Sequence, residues 1–346
     1  MNDAPALLVL APGLHSTVQD LGRPGFQDAG VPVSGALDSE ALRLANALVG
    51  NPPGTACLEI LYQGPSFEVA AESVRIALAG SEAELEILGG GRRSVPAWRS
   101  LRLERGQAFR VVSPPEAASC YLAIEGGLAV EPWLGSLATF VRGAMGGFHG
   151  RALRQGDRLP LALAAAEERD EMTLPDPPEP GFERPIRVVL GPQQGYFTEA
   201  AIARFLEAEY AVSKSADRMG ARLDGPTLAH RESYNIVSDG IATGAVQVPG
   251  SGQPIILLAD HQTTGGYPKL AAVISADLPL LGRRRVGAGL RFQAVSVAEA
   301  EALRREGEAR LRARLDAIAP APPLTWLDLD SLYSGNLISG VVSGHE

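Results

Sequence analysis

Hydrophobic residues in the first half of the chain fall in short alternating runs. Phe67-Glu68-Val69, Val74-Arg75-Ile76-Ala77-Leu78, Leu85-Glu86-Ile87-Leu88, Leu101-Arg102-Leu103, Phe109-Arg110-Val111 and Tyr121-Leu122-Ala123-Ile124 are each bounded by Gly, Pro or Ser. A period of two sends successive side chains to opposite faces of a strand. Runs at roughly 8–16-residue spacing predict an all-β sandwich or barrel. The style returns in Ile186-Arg187-Val188-Val189-Leu190, Ala245-Val246-Gln247-Val248, Ile255-Ile256-Leu257-Leu258 and Leu290-Arg291-Phe292.

Three stretches switch to the helical period. Leu37, Ala41, Leu44, Ala45 and Leu48 share one face, with Asp38 or Ser39 as N-cap and Gly50 before Asn51-Pro52-Pro53 as the stop. Residues 198–209 place Ile202, Phe205 and Leu206 together, and residues 297–318 carry a Leu303, Leu311, Leu315 stripe. Between the two strand-rich halves, residues 164–185 cluster acidic residues and prolines without periodicity. This predicts a strand-rich sandwich or barrel over 1–165, a linker over 166–185, and a second strand-rich domain with a C-terminal helix over 186–346. The turn-glycine and strand pattern of residues 101–111 is echoed at 284–292. Two related barrels would produce such an echo. Trp326 and Leu327 suggest that the C-terminal stretch docks back on a barrel.

Composition narrows the chemistry. The 346 residues are 45% hydrophobic and 21% charged, as in an ordinary globular chain. Gly 39 and Pro 26 stand above average usage, which is roughly 7% and 5%, and this favours turns over a helical bundle. A net charge of −9 argues against nucleic acid as a partner. No run reaches the roughly 18 apolar residues of a membrane span, and the N-terminus lacks the basic lead of a secretory signal. The expected setting is soluble and cytoplasmic. The two cysteines, Cys57 and Cys120, are too few for a zinc site or disulfide framework and read as small buried hydrophobes.

Only Lys214 and Lys269 are lysines. Neither follows a glycine at the spacing of a phosphate-binding loop, and neither lies between methionines as a biotinylated lysine does. Gly89-Gly90-Gly91 and Gly250-Ser251-Gly252 lack dinucleotide-site spacing. ATP or biotin, if used, must come through another chain.

Three segments concentrate polar groups and glycine. In residues 13–38, Asp20 and Arg23 read as a local ion pair across a turn, and Ser34-Gly35 before a helix can offer N–H groups to an anion or simply cap it. The glycines between 126 and 156 read mostly as bends. The richest segment is 247–269. There a buried strand ends in Ala259-Asp260-His261-Gln262-Thr263-Thr264-Gly265-Gly266-Tyr267-Pro268-Lys269, the kind of loop on which a rigid scaffold carries working residues. Asp260 is the candidate acid/base and Lys269 the candidate charge-handling partner in catalysis. Gln247, Thr263, Thr264 and Tyr267 would hydrogen-bond a small amide or acid as substrate. Arg218 and Arg222, four apart, would hold an anionic group. Adjacent Asp260 and His261 point opposite ways in extended chain and are not taken as a dyad.

The stretches GLHSTVQDLGRPGFQDAGVPVSGALDSEALRLANALVGNP, SKSADRMGARLDG and GAVQVPGSGQPIILLADHQTTGGYPKLAAVISADLPLLG resemble the allophanate hydrolase subunit 2 family, the carboxyltransferase-type family of urea amidolyase. The resemblance runs from about residue 8 to 295. It implies an all-β protein with a few helices, built as two cyclophilin-like β-barrels. Free-standing bacterial members of the family are the C subunit of ATP-dependent 5-oxoprolinase and a KipI-associated regulatory protein. The resemblance therefore implies two partners, a KipI-like B component and a third, A component of the complex. It also implies a small amide or lactam substrate and ATP used by the complex. The alternatives are a carboxyltransferase served by a biotin carrier in trans, and a regulatory KipI-binding module.

Overall fold

The computed structural model describes residues 4–80, 83–89, 93–114 and 116–324; Trp326 and Leu327 lie outside them. Among the described residues the chain is mostly β, with four α-helices: α1 (Ser39–Leu48), α2 (Glu199–Glu207), α3 (Leu278–Arg283) and α4 (Val297–Asp316).

Two antiparallel sheets build the first barrel. One begins at Arg158–Pro160 and Ala6–Ala11 and ends at Glu84–Leu88 and Arg93–Pro96. The other runs His15–Gln19, Cys57–Leu61, Ser119–Ile124, Ser73–Ala79, Arg99–Glu104, then Met172–Thr173 and Ala319–Pro320. Their facing sides bury Leu7, Phe67, Ile76, Leu85, Phe109 and Leu122 in one core, which the alternating pattern requires. Helix α1 adds Leu42, Leu44, Ala45 and Leu48 to that core, and the Asp38 carboxylate caps it by accepting from Ala41 N at 3.0 Å.

The second barrel is an eight-stranded sheet with Gly289–Leu290 at one edge and Phe292–Ala294 at the other. Arg291 alone separates these edge strands, so the sheet returns on itself nearly closed. The run expected as one strand is thus broken at Arg291. Inside lie Ile186, Val246, Ile256 and a stack of Phe205 on Phe292 with centroids 4.2 Å apart.

Two segments behave differently from their sequence pattern. The acidic stretch expected as a linker contributes Met172–Thr173 to the first barrel's sheet, where Thr173 pairs with Arg99. Helix α4 follows the second barrel in sequence, yet it buries Leu311 in the first core. Its exit strand Ala319–Pro320 pairs with Met172–Thr173. A leucine stripe records that a helix must be covered, not which barrel covers it. Helix α3 escaped the reading because Leu278-Pro279-Leu280-Leu281 is too short and too apolar to show a helical period.

Candidate functional site

The two barrels meet along a buried charged seam. On the strand Cys57–Leu61, Glu59 stands opposite Thr17 of His15–Gln19 and Tyr121 of Ser119–Ile124. Directly opposed residues share one face of a sheet, so Thr17, Glu59 and Tyr121 point the same way. That face looks at the second barrel, where Arg218 sits just before the strand Gly220–Asp224. The Arg218 guanidinium donates to Glu59 Oε1, to Gly35 O at 2.6 Å, and to the Asp260 oxygens at 2.8 and 3.2 Å. Tyr121 donates to Glu59 Oε2 at 2.6 Å and accepts from Asp38 N at 2.8 Å. Leu37 N also donates to Glu59 Oε2 at 2.9 Å.

A second cluster continues the seam. Arg283 of α3 donates to both Asp38 oxygens and to Glu40 Oε2 at 3.0 Å, and Arg314 of α4 donates to Glu40 Oε1 at 2.8 Å. Backbone bonds cross as well: Ser34 N to Ala259 O at 2.9 Å and Ala118 N to Arg283 O at 2.7 Å.

Burial sets the electrostatics. It opposes the Arg218 charge, but Glu59 and Asp260 outweigh it and raise the pKa above the ordinary arginine range. Burial, with Glu59 next, pushes the Tyr121 phenol well up, so Tyr121 stays a hydrogen-bond donor. Burial lowers the imidazoles of His15 and His261, which favours their neutral forms. It pushes the Cys57 thiol up and the Cys120 thiol to about 12, so neither offers a thiolate at neutral pH.

Beside the seam opens a cleft of about 760 Å³. Its walls come from α1, α3, α4, the 176–187 segment, and Ser34, Thr243, Leu258 and Ala259. This is the space between units in which small ligands commonly bind.

The residues singled out from sequence divide into two groups. Asp260 is 4% exposed, and both its oxygens accept from Arg218. A proton-transfer role for Asp260 would first have to break that pair. Arg222, four residues from Arg218, is exposed in the strand Gly220–Asp224, so the two do not form a clamp. The second group lies against the loop 229–243, away from the cleft wall. Lys269 is buried and donates from Nζ to Asp239 Oδ2 at 2.6 Å and Gly240 O at 3.1 Å. Gln247, opposite Lys269 in the sheet, is buried beneath Gly265. Thr264 pairs with Gly240 in a two-stranded ribbon, Thr263 accepts from Ile241 N through its carbonyl, and Tyr267 is exposed. His261 reaches Thr243 Oγ1 through Nε2 at 3.1 Å and Gln262 O through Nδ1 at 2.6 Å.

The expected Asp20–Arg23 ion pair does not form. Asp20 accepts instead from Gly22 N at 2.7 Å, Ser136 Oγ at 2.7 Å and Leu137 N at 2.6 Å. Three backbone and hydroxyl donors already surround this carboxylate. Glu59, Tyr121 and Arg283 were not singled out from sequence. The signal for Glu59 was a lone carboxylate within the apolar strand Cys57–Leu61.

An all-β pair of barrels with a charged, cleft-bearing junction is the class of protein that fold and site define. The model of the carboxyltransferase domain, subdomain A and B, matches residues 29–294, and the chain belongs to that family. It is 36% identical over 295 residues to a protein of Escherichia coli K12 named as the C subunit of 5-oxoprolinase, covering 85% of this chain and 93% of the relative. Among solved structures, TTHA0988 superimposes with a TM-score of 0.74 at 36% identity, covering 84% of this chain and 56% of that one. The Kluyveromyces lactis urea carboxylase superimposes with a TM-score of 0.81 at 28% identity, covering 94% of this chain and 31% of that one.

Proposed function

We propose that this chain is the C-type subunit of an ATP-dependent 5-oxoprolinase and works in complex with a KipI-like protein and a third partner chain. The lactam C–N bond breaks, water supplies the oxygen of the new carboxylate, and the ring nitrogen leaves as the amine of glutamate. ATP hydrolysis by the complex drives the opening. The observation that carries this reading is coverage. The chain spans 93% of a relative that bears the 5-oxoprolinase name, but 31% of the urea carboxylase.

The geometry supports a small polar acid or amide as substrate. The open cleft between the barrels is lined by Arg43, Arg184, Arg187, Arg283 and Arg314, a basic wall suited to an acid. In this reading the loop 260–269 stays at the site. Asp260 and Lys269 hold it in place through Arg218 and Asp239; Thr264 and Tyr267 are its exposed hydrogen-bonding groups, with Thr263 half-buried and Gln247 buried beneath.

Co-expression with both partner chains and measurement of 5-oxoproline-dependent ADP release tests the reading. Activity is expected only with all three chains. No activity with all three present overturns it.

The TM-score of 0.81 to a urea carboxylase favours a second reading, a carboxyltransferase served by a biotin carrier in trans. An avidin-reactive partner in the purified complex, with transfer of labelled bicarbonate to urea, would establish it instead.

A further inference from the structure

Arg23 and Arg75 are both 1% exposed, but only Arg75 has its charge matched. It faces Glu125 and Glu171. Arg23 donates from Nη2 to the Ala138 carbonyl, and among the described residues its Nε and Nη1 have no partner. Asp20, three residues away, is turned to Ser136 and Leu137. Burial depresses the Arg23 pKa below the ordinary arginine value. A buried guanidinium with no carboxylate in contact among the described residues is costly, and an unsatisfied group of this kind is often one that serves a site.

The surroundings point the same way. Arg23 lies 5.2 Å from the centre of the Trp133 ring, which covers its face. Arg23 N donates to Val33 O, and the next residue, Ser34, is 5% exposed with an unpartnered Oγ. Ser34 lines the cleft and Arg23 does not, so the cleft ends at Ser34 and the guanidinium lies off its wall. Ser34 N in turn bonds Ala259 O, beside the Arg218–Asp260 pair.

The backbone here is strained. Ser34 (φ 57°), Leu134 (φ 49°), Ala144 (φ 51°) and His149 (φ 59°) occupy the left-handed region on the two loops packed around Arg23. Gly146 approaches so closely that a Cβ would stand 2.7 Å from Arg23 Nη2. Strain of this kind persists where the surrounding structure imposes it, and it concentrates at binding and active sites.

We propose that Arg23 forms a subsite for a small planar carboxylate, entered from the cleft between the barrels past Ser34. The proposal rests on the 5-oxoprolinase reading in one respect, that the carboxylate of 5-oxoproline is its occupant there. The guanidinium N–H groups supply charge-assisted donors, and the Trp133 ring keeps water from competing with them.

The test uses the complete complex of three chains with R23Q and R23K. 5-Oxoproline is compared with 2-pyrrolidone, the same lactam without the carboxylate, and with bicarbonate, each followed by equilibrium dialysis. In R23Q the KM for 5-oxoproline is expected to rise at least about tenfold, with the KM for ATP unchanged. 2-Pyrrolidone should bind wild type and R23Q alike, and R23K should recover part of the loss. Thermal unfolding without ligand provides the second measurement: R23Q is expected to match or exceed wild type, because it removes an unmatched buried charge.

Equal KM and equal carboxylate binding in wild type and R23Q overturn the proposal. So does R23Q lowering the melting temperature equally with and without carboxylate, since that is the mark of a structural arginine. If the wild-type complex shows no 5-oxoproline-dependent ATP hydrolysis but binds bicarbonate through Arg23, the subsite stands and the 5-oxoprolinase reading falls.

Discussion

Arg75 and Arg23 belong to the same barrel and are equally withdrawn from water. Arg75 rises from the middle of the strand Ser73–Ala79. It donates to Glu125 at 2.9 Å, to both Glu171 oxygens at 3.2 Å, and to the carbonyls of Glu167 and Arg169 at 3.0 and 2.9 Å. Arg23 rises from a loop and meets one carbonyl. The first guanidinium gathers the returning chain onto the barrel and is fully used in doing so. The second is held by a strained loop with its Nε and Nη1 donors idle among the described residues. Equal burial therefore says little about role; the state of the hydrogen bonds separates a structural charge from one awaiting a ligand. Arg218 sits on the structural side of that division, because Glu59 and Asp260 match it from both barrels.

The sharpest way to test this contrast is to remove the matched charges. R218M leaves Asp260 buried without its guanidinium and Glu59 short of a donor. The expected loss is about 3–5 kcal/mol of stability, read by urea unfolding, with the barrels losing their common transition. R75M is expected to cost about 3 kcal/mol, at the lower end of the same range, because Arg169 still donates to Glu125 at 2.9 Å and Ser100 to Glu171. If either change proves neutral, matching is not what distinguishes these arginines from Arg23.

A smaller effect comes from the imidazoles. Burial holds His15 and His261 below the ordinary 6.5. The unfolded chain then binds protons first, so this contribution is fully present above pH 6.5 and is lost as pH falls through 6.5 toward the lowered folded values. Stability measured against pH should slope downward on the acid side, and H15Q with H261Q should flatten that slope. The mildest change is K269M. It releases the loop 229–243 from the Asp239 and Gly240 contacts, and limited proteolysis should nick that loop faster while the melting temperature barely moves.

Much of the architecture was legible in the chain. Period-two runs marked most strands of the first barrel, and Asp38 and Thr198 were readable as helix starts; both cap their helices by accepting from backbone N–H groups. The polar cluster at 259–269 meets the barrel junction at its start, where Ser34 N bonds Ala259 O and Arg218 pairs with Asp260. The local pattern could not show that Arg218 and Arg222, four apart, would part company. One enters the junction before the strand begins, and the other faces solvent within it.

Alternation, caps and turn residues act over a few positions, so the sequence by itself determined most strands, the main helices and the all-β class, while the two barrels were legible through the family resemblance. Other matters depended on groups far apart in the chain. Glu59 meets Arg218 across 159 positions, and Asp38 meets Arg283 across 245. Helix α4 crosses back to the first core. Asp20 and Arg23 are near neighbours, yet they are separated because Ser136 and Leu137 reach Asp20 first. A side chain's partners are chosen by which groups the fold brings within about 3 Å and by how much water it removes. Only the tertiary structure sets those two quantities, and they are what left Arg23 unmatched.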